Sequence, residues 1–272
     1  MIWEGNFTRR LKRSWRTSRV ERNIKLVVSY DGTEYSGWQV QSKDSSIQGE
    51  IQKALESLHA KPVSLTGAGR TDSGVHASGQ VSNFYTEKDN VPPEKFRDAL
   101  NARLPGDIRI LSSCQVPPGF HSRRDAVERQ YEYRLYHGEV LPSHASRYTW
   151  RLGRMPSLKL CNDIASVVCG THDFTTFAAA GDASKSRIRC INHAVFLSEG
   201  PYIMFRINGN AFLWRMVRSL LGTILNLGNR GGTPAQMRGI LESCDRNQAG
   251  PTAPPRGLFL TKVIYGKDRG VH

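Results

Sequence analysis

The chain has 272 residues, enough for one large or two small domains, and its 38 Lys+Arg against 24 Asp+Glu give a formal net charge of +14. That balance favours a polyanionic partner, nucleic acid first, over a neutral metabolite. No apolar run reaches the roughly 18 residues a membrane helix needs, and five scattered cysteines without a Cys-x-x-Cys pair suggest neither a disulfide framework nor a zinc site, so a soluble, cytoplasmic protein without a metal is expected.

The charge is uneven. Residues 9–22 hold seven basic residues and one acid, and residues 1–23 are set apart as a basic extension. Such a head reads as a disordered arm that touches phosphates, as an Arg-rich transit-like segment, or as the product of an upstream start codon. From Ile24 the pattern becomes compact α/β. "NIKLVVSY" predicts a buried strand ended by the Asp31-Gly32 turn. Ser45 and Gln48 have capping-box spacing ahead of Ile47, Ile51, Leu55 and Leu58, which share one helical face. A short strand at "PVSLTG", a strand at "QVSNFYT", a helix over 93–104 and a strand at "DIRILSSCQV" complete a first half, 24–118. The Pro-Pro-Gly turn at 117–119 marks the expected boundary. In the second half, 119–268, strands are predicted at "YEYRLYH", across Ile191–Ile207 with a turn at Gly200-Pro201, and near Phe259–Tyr265. Helices are predicted at 157–169 and 213–227. The expected architecture is α/β (α+β): two similar mixed-sheet halves flanking a basic cleft.

Between two of these strands lies "GAGRTDSGVHASGQV", which displays one carboxylate, Asp72, on a loop. Gly67-x-Gly69 completes neither the dinucleotide nor the Walker pattern, and no lysine follows. Asp72-Ser73-Gly74 has the form of an aspartic-protease triplet, but that chemistry needs a second carboxylate and no second Asp-Ser/Thr-Gly exists. Taken alone, a loop Asp reads as a turn former.

The whole constellation says more. "GRTDSGVHASGQV" resembles the signature loop of the TruA family of tRNA pseudouridine synthases. The likeness extends to "YDGTEYSGWQ" (30–39), "NARLPGDI" (101–108), "FHSRRDAVERQYEY" (120–133), "GNAFLWRMVRSLLGT" (209–223) and "TAPPRGLFL" (252–260). It covers Ile24 to Tyr265 and leaves the basic head outside. Ser73 stands where alanine is usual, and Glu132 where a basic residue is frequent. The resemblance implies the pseudouridine synthase fold and isomerisation of uridine to pseudouridine at positions 38, 39 and 40 of the tRNA anticodon stem-loop. It further implies a homodimer that grips one tRNA, and no cofactor. It gives Asp72 the reacting carboxylate, Arg218 the cation that keeps that acid ionised, and Tyr131 the contact to the target base.

By the same resemblance Arg70 fills the space left when the uridine leaves the stack, a step that costs a few kcal/mol. His76 and Gln80 support the loop or touch RNA. Arg123, Arg124, Arg129 and the "SKSRIR" run (184–189), with Arg187 and Arg189, are candidate phosphate contacts, which position RNA without reading its sequence. A different class, a non-catalytic RNA-binding or tRNA-folding protein, fits the charge equally well but gives no reason for Asp72, Tyr131 and Arg218 together. Helical periodicity alone puts Arg218 on the polar side of its helix, opposite Leu213, Met216, Val217, Leu220, Leu221 and Ile224.

Overall fold

A computed structural model describes residues 21–41 and 44–266. The expectations for the basic head therefore lie, up to residue 20, outside the described residues. Strand β1 (Arg22–Tyr30) buries Ile24, Leu26, Val28 and Tyr30. Those side chains share the core with Ile47, Ile51 and Leu55 of helix α1 (Ile47–His59). Its N-cap is Ser46, whose hydroxyl accepts from Gly49 N–H, one residue beyond the predicted Ser45. Gln48 does not close a capping box; its side chain instead accepts from Val40 N–H and donates to the Leu65 carbonyl. Strand β2 (Leu65–Gly67) leads into the Asp72 loop, and β3 (His76–Thr86) leaves it. β3 starts four residues earlier than predicted, since His76 and Ala77 are already paired with β10 (Leu258–Tyr265). The predicted helix at 93–104 is a 3-10 turn over Pro93–Lys95 followed by α2 (Phe96–Asn101), and β4 (Ile108–Val116) closes the first half.

The second half begins with β5 (Ala126–Tyr136), followed by the short β6 (Trp150–Arg151) and α3 (Leu158–Ser166), which Ser157 caps. After β7 (Gly170–Asp173), the hairpin of β8 (Ile188–Glu199) and β9 (Tyr202–Gly209) turns at Gly200-Pro201 as predicted. Helix α4 (Met216–Asn229) begins three residues later than expected, because Arg215 at its N-cap is left-handed, with φ 62°. Helix α5 (Pro234–Glu242) was not anticipated, although Thr233 and Gln236 form a full capping box around Pro234.

Among the described residues all ten strands belong to one sheet, in the order β4-β1-β3-β10-β5-β9-β8-β7, with β2 beside β3 and β6 beside β5. The last strand is thus central. β10 pairs in parallel with β3 and antiparallel with β5, so strands from before and after the Pro-Pro-Gly turn are hydrogen-bonded through it. Along β5, Arg129, Tyr131, Tyr133 and Leu135 are buried while Glu128, Gln130, Glu132 and Arg134 are half-exposed, the period-two alternation of a sheet with one covered face. Glu132 consequently points away from Tyr131 and pairs with Arg206 at 3.1 Å and Arg134 at 3.4 Å.

Candidate active site

The Asp72 loop is held by the segment 30–39, which explains why these two stretches of sequence belong together. Tyr30 hydroxyl and Thr71 hydroxyl are 2.8 Å apart, and Trp38 N–H donates to the Thr71 carbonyl at 3.1 Å. The Tyr35 carbonyl accepts from Ser73 hydroxyl at 3.1 Å and Gly74 N–H at 3.4 Å. Gly37 adopts φ +100°, and a Cβ there would lie 2.4 Å from the Thr71 carbonyl oxygen. Only glycine serves both demands. From the other side Gln80 donates to the Gly69 carbonyl at 2.9 Å.

Arg218, in the first turn of α4, donates from Nη1 to Asp72 Oδ2 at 2.7 Å, and the two side chains are only 12% and 17% exposed. Its Nε donates to the Ala253 carbonyl at 2.8 Å, so the guanidinium fork holds the acid and the segment before β10 at once. The polar-side reading of Arg218 is corrected here. α4 is buried nearly all round, through Ser219, Gly222, Thr223 and Leu225 as well as the apolar stripe, and the arginine faces Asp72, not solvent. Removing one member of such a pair leaves an uncompensated buried charge, which typically costs about 3–5 kcal/mol.

Tyr131 comes from β5 and meets the edge of Phe212 at 5.1 Å between ring centroids. Burial pushes its phenol up to about 12, the Arg129 guanidinium opposing this and the Asp72 carboxylate adding to it. At neutral pH the hydroxyl is therefore a proton donor. Asp72, Arg218 and Tyr131 line one cavity of about 880 Å³. Its walls carry the arginines 70, 123, 129, 189, 215 and 218 against the carboxylates of Asp72 and Asp182. Such a wall suits a phosphodiester chain.

Of the other predicted residues, Arg70 is exposed at the cavity, with Nε donating to Gln39 at 3.0 Å, and Arg123 is exposed beside it. Arg124 is exposed but does not line the cavity. Arg187 lies close by, donating to the Asp182 carbonyl at 3.3 Å, and does not line the cavity either.

Of the residues expected to support the loop or touch RNA, His76 and Gln80 are buried, and so is Arg129, a candidate phosphate contact. His76 is fully buried, with Nε2 toward the Arg256 carbonyl at 3.0 Å and Nδ1 accepting from Gly32 N–H at 3.1 Å. Gln80 is fully buried beneath the loop. Arg129 is 8% exposed and donates to the carbonyls of Ala68, Arg123, Ala126 and Asn210, which leaves its fork no room for a phosphate. Gln80 and Arg129 lie on the Tyr131 side of the sheet, whereas His76 lies on the opposite side, stacked on Phe259 with Tyr148 against it. Of the "SKSRIR" run, Arg189 does line the cavity, as do Trp214 and Asp182, which the sequence reading does not single out. The adjacent aromatic and arginine in "LWRMVR" were the available signal.

A family model described as tRNA pseudouridine synthase matches residues 26–123 and 164–266. Those segments include Asp72 and Arg218 and leave out Tyr131. The tRNA pseudouridine synthase A of Treponema denticola is 44% identical over 256 residues, covering 92% of this chain and 96% of that protein. The one from Exiguobacterium sp. is 40% identical over 248 residues, covering 90% and 99%. The one from Clostridium acetobutylicum is 38% identical over 244 residues, covering 90% and 100%. A chain from the crystal structure of a Cbf5-Nop10-Gar1 complex matches at 14% identity with a TM-score of 0.36, over 87% of this chain and 57% of that one, a likeness too remote to bear on the site. Similarity that runs through both flanks of the sheet and nearly the full length of these relatives places the chain in the tRNA pseudouridine synthase family.

Proposed function

We propose that the cavity isomerises uridine to pseudouridine in the anticodon stem-loop of tRNA, at positions 38, 39 and 40, with Asp72 as the reacting group. The observation that carries this reading is the 2.7 Å pair between Asp72 and Arg218 in a cavity walled by arginines. In the reaction the N1–C1′ bond breaks, the uracil turns while held, C5 bonds to C1′, the C5 hydrogen leaves as a proton, and N1 takes up a proton in its place. No heavy atom is supplied from outside and no oxidation state changes, so the chemistry calls for no cofactor. Three routes are open to the carboxylate: attack on C1′, attack on C6, or removal of the C2′ proton, and each needs it ionised and aimed. Arg218 aims it, because its fork, anchored on the Ala253 carbonyl, fixes the carboxylate and places a positive charge beside it.

Tyr131 packs on the extruded base and offers its hydroxyl as a donor. Arg70, exposed at the rim, enters the gap in the RNA stack, and Arg123 meets phosphate. We further infer a homodimer gripping one tRNA, and a cytoplasmic location suited to that substrate. Sedimentation with and without tRNA tests the dimer. The activity test is release of tritium to water from unmodified tRNA labelled at uridine C5. Release without added cofactor supports the reading, and tRNA binding with no release would make the protein a non-catalytic RNA binder.

A further inference from the structure

We propose that Trp214 is a rigid stacking platform for a nucleobase flanking the uridine that reacts, and so a substrate-binding residue of the site. The inference rests on the preceding reading that the cavity takes an RNA loop. Its starting point is a contrast within four residues: Leu213 and Met216 are buried at 4% and 0%, while Trp214 is 45% exposed and lines the cavity. A lone exposed apolar side chain is ordinary. This one is clamped. Its backbone N–H donates to Asp182 Oδ2 at 2.6 Å, and its carbonyl accepts from Ala179 N–H at 3.0 Å. Gly181 lies so close that a Cβ there would come within 2.8 Å of Cζ3 of the indole. The other oxygen of that carboxylate, Asp182 Oδ1, accepts from Ser184 N–H at 2.8 Å, which orients it toward Trp214.

The chain also accepts strain at this point. Arg215 is left-handed, with φ 62°, a conformation that residues other than glycine disfavour. That turn lets Leu213 and Met216 both enter the core while Trp214 faces the cavity, and it brings the Arg215 guanidinium over the indole, 4.9 Å from the ring centroid. Strain kept beside a cavity is the kind of outlier from which a functional constraint is inferred. Space and charge agree with it. At about 880 Å³ the cavity lies toward the upper end of the roughly 300–1,000 Å³ range of ligand pockets, more than one uracil requires. Tyr131 and Phe212 already provide the aromatic surface near Asp72. Trp214 stands just before α4, whose first turn carries Arg218, so its ring is placed for the next base along the strand. Arg123, Arg189 and Arg215 line the same cavity and supply positive charge for the phosphodiester between the two nucleotides.

The test is a cycle between protein and RNA. A stem-loop RNA with one target uridine is compared with copies carrying an abasic nucleotide on its 5′ or its 3′ side, by binding titration and by kcat and KM from C5 tritium release. With the wild type, one of the two abasic copies should bind about 5- to 150-fold more weakly, the range expected for one base–aromatic stack. Trp214→Ala should lose a similar factor on intact RNA, mostly in KM, and lose nothing further on that abasic copy. Trp214→Phe, which keeps an aromatic face, should recover most of the affinity. Losses from the substitution and the abasic site that simply multiply on both flanks would overturn the platform, as would full affinity of Trp214→Ala for intact RNA. If the wild type binds the stem-loop but releases no tritium, the isomerase reading fails by itself, and the coupling seen in binding still decides the role of Trp214.

Discussion

Arg218 and Ala253 hold each other twice: Arg218 Nε donates to the Ala253 carbonyl at 2.8 Å, and Ala253 N–H donates to the Arg218 carbonyl at 3.1 Å. The guanidinium that meets Asp72 is therefore anchored through its own Nε and its own backbone. An ammonium cannot reproduce this, because a point charge on a flexible stem has no planar fork to share between a carbonyl and a carboxylate. Arg218→Lys is expected to lower kcat for pseudouridine formation by about 10²-fold, the scale for losing one preorganised electrostatic partner, with little change in tRNA affinity. Single-turnover C5 tritium release checks it, and an Arg218→Lys enzyme at wild-type rate removes the fork from the explanation.

Asp72→Asn keeps the side chain's size and removes its charge. Turnover is expected to fall below detection, while the loop, which Tyr35, Trp38 and Gln80 hold in addition to the Arg218 contact, keeps its shape. RNA affinity should be unchanged or slightly higher, since losing an anion relieves repulsion with phosphate. Tritium release and a filter-binding titration on the same tRNA give both numbers. An active Asp72→Asn protein would sink the assignment.

Because burial pushes the Tyr131 phenol up to about 12, the hydroxyl carries its proton through the working pH range. Tyr131→Phe should therefore retain binding and, if the hydroxyl gives up a proton in the reaction, lose about 10²-fold or more in rate. Tyr131→Ala should also weaken binding, as it removes the ring packed on Phe212. In the wild type no rise in rate due to Tyr131 is expected between pH 7 and 9. A rise there that vanishes in Tyr131→Phe would instead show a phenolate acting as base.

His76 offers a test of the scaffold alone. Burial holds its pKa below the ordinary histidine value, outweighing the nearby Asp31 carboxylate, which favours the charged ring. A group with a depressed folded pKa contributes stability that is present above its unfolded value, about 6.5, and lost as pH falls through the folded value. Urea midpoints should accordingly drop as pH is lowered from 7 to 5. His76→Gln should be less stable at pH 7 and show a shallower drop, with His59, whose pKa is also lowered by burial, accounting for part of what remains. Parallel curves for the two proteins would exclude His76 as a source of the acid sensitivity.

The local pattern was enough for most elements. β-branched runs marked β1 and β4, Gly200-Pro201 marked the β8–β9 turn, and Ser157 marked the start of α3, because these depend on neighbours within a few residues. Where prediction slipped, a distant partner had decided: β3 extends back to His76 because β10 pairs there, and α4 starts late because Arg215 turns left-handed beside the cavity. The capping box of Thr233 and Gln236 that starts α5 is local and legible in the sequence.

For the site, composition by itself determined that the chain is cationic enough for RNA, and the resemblance carried by the sequence motifs pointed to one loop carboxylate, one arginine and one tyrosine. They could not determine direction. Arg123, Arg129 and Arg218 look alike as letters, yet one is exposed, one is held by four carbonyls and one faces Asp72. That sorting was decided only by tertiary structure, because a guanidinium's partners lie up to 146 residues away in sequence and its freedom to meet a ligand is whatever those partners leave.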